Sequence, residues 1–153
     1  MKLQDILTED CTQCAVPATS KKKILEQVCC LAATKVDELS KIQLLESLLE
    51  REKMGSTGIG NGIAIPHGRL NGTSKVVAVF LTTEKPIAFD AIDNRGVDIF
   101  VALFVPEDCC QEHLSTLQHI AKMLSNKQIC KQIRRCQSDQ ELFQLVSDAS
   151  NQL

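Results

Sequence analysis

A chain of 153 residues, 44% apolar and 24% charged, has ordinary globular composition and is long enough to bury the core of one domain. Its net charge of −2 gives no electrostatic case for binding nucleic acid or a membrane surface. No apolar run reaches the roughly 20 residues that span a bilayer, and Met1-Lys-Leu-Gln-Asp5 lacks the continuous apolar region of a secretion signal. A soluble, cytoplasmic protein is expected.

Residues 1–19 read as a lead-in with one turn around Leu3 to Leu7, and Pro17 argues against a long helix there. From Ser20 the apolar positions Ile24, Leu25, Val28, Leu31 and Ala32 recur at helical spacing, and Lys21-Lys22-Lys23 reads as the solvated start of that helix. Ser40 followed by Gln43 is a capping box, which pairs loose N–H groups at a helix start. The helix it opens carries a stripe of Ile42, Leu45 and Leu49, widened by Leu44 and Leu48, and Gly55 is placed to end it.

A glycine-rich stretch follows, from Arg51 to Arg69, holding five of the seven glycines and a short apolar strand, Ile63 to Ile65, that leads to Pro66 and His67. Such glycine density lets backbone approach a ligand closely, and successive N–H groups in a loop of this kind can cradle an anion. A dinucleotide fingerprint needs a strand before the glycines and a helix after them, and here the order is reversed. A phosphate-binding Walker loop needs Gly-Lys before Ser or Thr, which is absent. A mobile surface loop with an incidental histidine is the alternative to phosphate chemistry on the imidazole.

Asn71-Gly72 marks a turn, Val76 to Leu81 a buried strand, Asp93-Asn-Arg-Gly96 a second turn and Val97 to Val105 a second buried strand. Apolar runs without polar alternation imply that both sheet faces are covered by helices. Asp108 is placed to cap the next helix, with Leu114, Leu117, Ala121 and Leu124 facing inward. One helix is then expected around Lys127 to Arg135 and a last one from the Ser138-x-x-Glu141 box. The expectation is a single α/β domain over residues 1–153.

Eight cysteines include the pairs Cys29-Cys30 and Cys109-Cys110. Cys11-Thr-Gln-Cys14 has knuckle spacing, but a structural zinc site wants four grouped ligands, and no second such pair exists. Free thiols, with no metal and no cofactor, are the expectation.

The run ending Ile63-Ala-Ile-Pro-His67-Gly68 resembles the active-site segment of the type 2 EIIA domains of the bacterial phosphoenolpyruvate-dependent phosphotransferase system, and within them most closely the nitrogen-regulatory EIIA. Further matches are Lys85-Pro-Ile-Ala-Phe-Asp-Ala-Ile-Asp-Asn94, Leu103-Phe-Val-Pro106 and His113-Leu114, and the resemblance runs from Lys21 to Val146. It implies a mixed β-sheet sandwiched between α-helices, and it implies that His67 is the residue phosphorylated in a transfer relay. Neutral imidazole is a good nucleophile near neutral pH.

The incoming phosphoryl oxygens need a basic partner. Arg51 lies on the helical line of Leu44 and Leu48, so its stem can follow the core-facing side and its planar fork can bind two oxygens. A surface cation at a helix C-terminus is the other reading. His113 shares a helical face with Leu117, Ile120 and Leu124 and points inward; the family places a histidine beside the acceptor, and His113 takes the role of orienting His67 or touching its phosphoryl group. His119 falls on the polar side with Glu112, Ser115 and Thr116 and reads as a solvent histidine. Ser56 and Thr57 are candidate hydroxyl donors to phosphate, Ser56 being preferred, with turn hydrogen bonds as their alternative.

The resemblance therefore implies a phosphohistidine carrier and regulator, loaded on His67 by a phosphorylated HPr- or NPr-like protein whose phosphate originates from phosphoenolpyruvate through enzyme I, and acting on regulatory target proteins. Its alternatives are the EIIA component of a mannitol- or fructose-type uptake system that passes phosphate to EIIB, and a binding module that has lost phosphotransfer. The absence of attached EIIB and EIIC segments favours the regulatory reading.

Overall fold

The computed structural model describes Met1–Leu153. Its elements in chain order are β1 (Thr12–Val16), α1 (Lys21–Ala33), α2 (Lys41–Lys53), β2 (Gly58–Gly60), β3 (Ile63–Ala64), β4 (His67–Leu70), β5 (Val77–Ile87), β6 (Val97–Pro106), α3 (Leu114–Leu124), α4 (Lys127–Arg135) and α5 (Asp139–Asn151). Short 3₁₀ turns at Leu3–Asp5, Glu9–Cys11, Glu107–Cys109 and Gln111–His113 complete the path. No helix is long and apolar enough to cross a membrane.

The two apolar runs form β5 and β6, paired antiparallel at the centre of a mixed six-stranded sheet ordered β1-β5-β6-β3-β2, with β4 also on β6. Their side chains alternate between two cores. Val79 and Leu81 of β5 and Phe100, Ala102 and Phe104 of β6 face α1 and α2. Ala78 and Phe80 with Ile99, Val101 and Leu103 face α3, α4 and α5. Both faces are covered, which is why neither strand shows polar alternation.

Helix starts follow their caps. Ser20 accepts from Lys23 N–H, and Ser40 and Gln43 close the reciprocal box; each such cap contributes about 1 kcal/mol. Ser138 accepts from Glu141 N–H, while the Glu141 carboxylate turns instead to Gln137 N–H. Gly55, at φ +138°, follows the last turn of α2 as expected.

Five expectations are corrected. The lead-in contains β1, an edge strand parallel to β5, and Leu3, Leu7 and Cys11 are core residues; a short strand bent at Ala15 (φ +54°) has no alternation to betray it. In α2 the buried positions are Leu44 and Leu48, whereas Ile42 and Leu49 are exposed. Asp108 caps nothing: two 3₁₀ turns intervene, α3 begins at Leu114, and its buried face is Thr116, Ile120, Met123 and Leu124, with Leu114 exposed. The face is turned because the N-terminal turn packs beneath α3, where Thr116 donates to Met1 O (3.2 Å) and His119 Nε2 lies 3.1 Å from the buried Ser150 Oγ. His119 is thus half-buried, and that burial holds its pKa below the ordinary value. Lys21 does not sit free in solvent but pairs with Glu52 at 3.0 Å and covers the Phe89 ring, 4.5 Å from its centroid.

Candidate active site

The segment around His67 is built by an interrupted strand. β3 and β4 follow one another along the same side of β6, with Ile63 level with Ile99 and His67 level with Leu103. Pro66, which has no N–H to give, occupies the break, and its carbonyl accepts from Leu103 N–H (2.9 Å). His67 therefore opens a strand instead of lying in a loop. β4 pairs with β6 alone, so its outer edge is open.

Helix α2 packs directly on β4 because Gly68 has no side chain. A Cβ there would run into Ser47 Oγ and stand 2.9 Å from Ser47 Cβ. This close approach delivers the end of α2 to the open edge. Arg51 Nε–H donates to His67 Nε2 (3.2 Å), and Arg51 also donates to Gly55 O (2.9 Å).

On the other side of the ring, His67 Nδ1 lies 2.9 Å from Ile65 O. A carbonyl can only accept, so Nδ1 carries the proton and Nε2 presents its lone pair. Burial, with the Arg51 charge adding to it, pulls the His67 pKa below the ordinary value, against the opposing effect of the Ile65 carbonyl. The imidazole is neutral at neutral pH. Its lone pair is at Nε2, where it accepts from the Arg51 guanidinium.

The structure joins Arg51 to His67 but draws no hydrogen bond between His67 and His113. His113 is buried, is the residue before α3, and its Nδ1 has no partner. Helix α3, which it precedes, packs on the same side of the sheet as Leu103, the neighbour of His67 in register. Ser56 donates to Phe89 O (2.6 Å) and accepts from Gly58 N–H (3.0 Å), so its hydroxyl proton is already engaged within the loop. The glycine stretch itself is a small hairpin, β2 antiparallel to β3, pressed against Ala91: a Cβ on Gly58 would lie 2.8 Å from that of Ala91.

Two groups of the site were not among the candidates, the Glu52 carboxylate and the Ile65 carbonyl, and the Thr57 hydroxyl, a candidate phosphate donor, is taken up by Glu52. A backbone carbonyl has no sequence signal, and Glu52 was visible only as the neighbour of Arg51. All eight cysteines are free. Cys11 is buried in the core under α1, Cys14 donates to Cys136 O (2.8 Å), and burial pushes Cys29 up to about 12.

A single α/β domain with a mixed sheet between two helical layers, and a neutral histidine held against an arginine at an open sheet edge, define a carrier of the EIIA type. The sequence model of the family described as phosphoenolpyruvate-dependent sugar phosphotransferase system, EIIA 2, matches residues 5–149, and the chain belongs to that family. Membership makes it a component of a phosphoryl-transfer system. It is 49% identical over 152 residues to the nitrogen regulatory protein of Klebsiella oxytoca, covering 99% of this chain and 93% of that protein. The crystal structure of nitrogen regulatory protein IIA-Ntr from Neisseria meningitidis superposes with a TM-score of 0.86 at 34% identity, over 94% of this chain and 98% of that one. Similarity to the fructose-specific EIIA component of Haloferax volcanii is lower, 28% over 134 residues and 86% of each chain.

Proposed function

We propose that His67 accepts a phosphoryl group at Nε2 and that the protein acts as a phosphohistidine carrier with a regulatory role of the nitrogen type, in the cytoplasm. The observation that carries this reading is the pairing of the bare Nε2 with the Arg51 guanidinium at 3.2 Å. The donor is a phosphorylated HPr- or NPr-like protein. The Nε2 lone pair forms the bond to phosphorus while the bond from phosphorus to the donor breaks, its electron pair staying with the donor. The Nδ1 proton remains on the ring, where the Ile65 carbonyl stabilises the positive charge. Arg51 exchanges its contact with Nε2 for the phosphoryl oxygens, whose charge a planar donor fork suits.

His113 supplies a second contact on the α3 side, which gives its buried, unpartnered ring a use. Ser56 shapes the loop through its Phe89 and Gly58 bonds instead of binding the phosphate from the outset. Passage of phosphate to an EIIB of a sugar system is the second reading; the greater identity to nitrogen regulatory proteins than to a fructose EIIA component supports the first.

Incubation with phosphoenolpyruvate, enzyme I and an HPr-type protein tests the proposal. Acid-labile label on His67 that discharges to no EIIB is the expected result. Rapid discharge to an EIIB favours the sugar-relay reading, and absence of label on His67 removes the carrier reading.

A further inference from the structure

Glu52 follows Arg51 on α2, yet its side chain is only 6% exposed. A carboxylate in such a place is costly unless every oxygen is paired. Its partners are Lys21 Nζ (3.0 Å), Thr57 N–H (3.2 Å) and the Thr57 hydroxyl. None of these is His67. The contacts continue, however. Thr57 O accepts from Ile65 N–H (3.0 Å), and Ile65 O holds His67 Nδ1 (2.9 Å). Glu52 thus holds the N–H and hydroxyl of Thr57, the Thr57 carbonyl holds Ile65 N–H, and the Ile65 carbonyl holds the imidazole, with the covalent backbone of Thr57 and Ile65 linking one hydrogen bond to the next.

The loop is gripped twice from α2, by Arg51 on Gly55 O and by Glu52 on Thr57. Lys21 ties the same carboxylate to α1 and to the Phe89 ring, whose own carbonyl takes the Ser56 hydroxyl. The atom that benefits is the Ile65 carbonyl, which together with the Arg51 Nε–H on the opposite ring nitrogen keeps the proton on Nδ1. If that carbonyl drifts, the preference for Nδ1–H rests on Arg51 alone and the form protonated at Nε2, which has no lone pair there, gains population.

We propose that Glu52 is a positioning residue which, through Thr57 and the Ile65 carbonyl, fixes His67 in the Nδ1–H tautomer and so directs phosphoryl transfer to Nε2. The proposal rests on His67 being the acceptor. Its readout begins in the unphosphorylated protein and so does not depend on transfer.

Nitrogen-15 NMR of the full chain labelled at histidine, with the His67 signals identified by their loss in His67→Ala, measures the tautomer. The wild type is expected to carry its proton on Nδ1. Glu52→Gln keeps the shape of the side chain and removes its charge; Thr57→Val removes the hydroxyl alone. Both are expected to raise the population protonated at Nε2 and to slow acceptance from the phosphorylated HPr-type donor by about 10–100-fold, the size seen when the outer partner of an oriented metal-bound histidine is lost. Thr57→Ser is expected to restore both. An unchanged tautomer in Thr57→Val and Glu52→Gln overturns the proposal whether or not the rate falls, and so does a Thr57→Ser variant as impaired as Thr57→Val. Should Glu52→Gln fail to fold, the two Thr57 variants decide. Label absent from His67 in the wild type is a failure of the acceptor reading and is seen separately, in the same transfer assay.

Discussion

Arg51 on α2 and His67 at the head of β4 meet at 3.2 Å although 16 positions and the strands β2 and β3 separate them along the chain. The contact places a permanent positive charge beside the atom that would receive a dianionic group. His67→Ala should abolish acid-labile labelling. Arg51→Ala should leave the nucleophile but slow transfer by roughly 10²–10³, the usual cost of one lost electrostatic contact in a transition state. Stopped-flow or rapid-quench transfer from a phosphorylated HPr-type donor measures both, and wild-type rates in Arg51→Ala would make that arginine a structural cation only.

His113 is expected to behave differently from His119. His113→Ala should slow transfer and cost only the packing of the ring, because its Nδ1 has no hydrogen bond to lose. His119→Ala should cost stability, through its contact with Ser150, and leave the rate unchanged. Urea unfolding and transfer rates measured on the two variants separate these roles, and equal rates for wild type and His113→Ala would return His113 to the core.

The pH dependence follows from the lowered pKa of His67. The unfolded chain binds a proton near the ordinary value of about 6.5, and the native ring does so only at lower pH. Stability is therefore lost as pH falls below about 6.5 and levels off once the native ring also protonates, while acceptance holds through pH 6.5 and declines below it. Since the Arg51 charge lowers this pKa, Arg51→Ala should move the His67 midpoint upward in an NMR titration. His119 is shifted in the same direction, so His67→Ala should remove only part of the acid sensitivity.

Gly68→Ala probes the α2–β4 contact. The added methyl meets Ser47, so α2 has to move away from the strand. Overpacking of this kind costs typically about 1–3 kcal/mol. The same displacement carries Arg51 away from His67, so both the urea midpoint and the transfer rate should fall. A variant that lost stability without losing rate would show that Arg51 reaches His67 independently of that packing.

Phosphorylation should signal locally. A phosphoryl group adds about −1.5 to −2 charges on hydroxyl side chains, and phosphohistidine is comparable. At the open edge of β4 that charge faces any docked protein. Partners that place neutral or acidic groups over His67 should bind the phosphorylated form less tightly by a hundredfold or more, as expected from the several kcal/mol that facing like charges cost. Calorimetry on wild type, His67→Ala and the enzymatically phosphorylated protein tests this, and equal affinities for all three would favour the transport relay.

The sequence by itself determined what depends on near neighbours and on period. Ser20, Ser40 and Ser138 start helices because their hydroxyls serve N–H groups three residues away. The unbroken apolar runs of β5 and β6 announced a sheet covered on both faces, and the motif around His67 marked the segment proposed to accept phosphate. Rotation and long-range pairing were decided only in the folded molecule. α2 and α3 each have more apolar positions than one face can bury, so the packing partner chose between them: Leu44 and Leu48 won over Ile42 and Leu49, and Ile120 and Met123 over Leu114. β1 exists because β5 offers it an edge across nearly seventy residues, which no local pattern records. The partners of His67 divide in the same way. Arg51 was legible because it sits on the buried line of its helix. The Ile65 carbonyl and the Glu52–Thr57 clamp behind it became visible only when the chain closed, because a backbone oxygen has no residue type of its own and a hydrogen-bond path exists only in three dimensions.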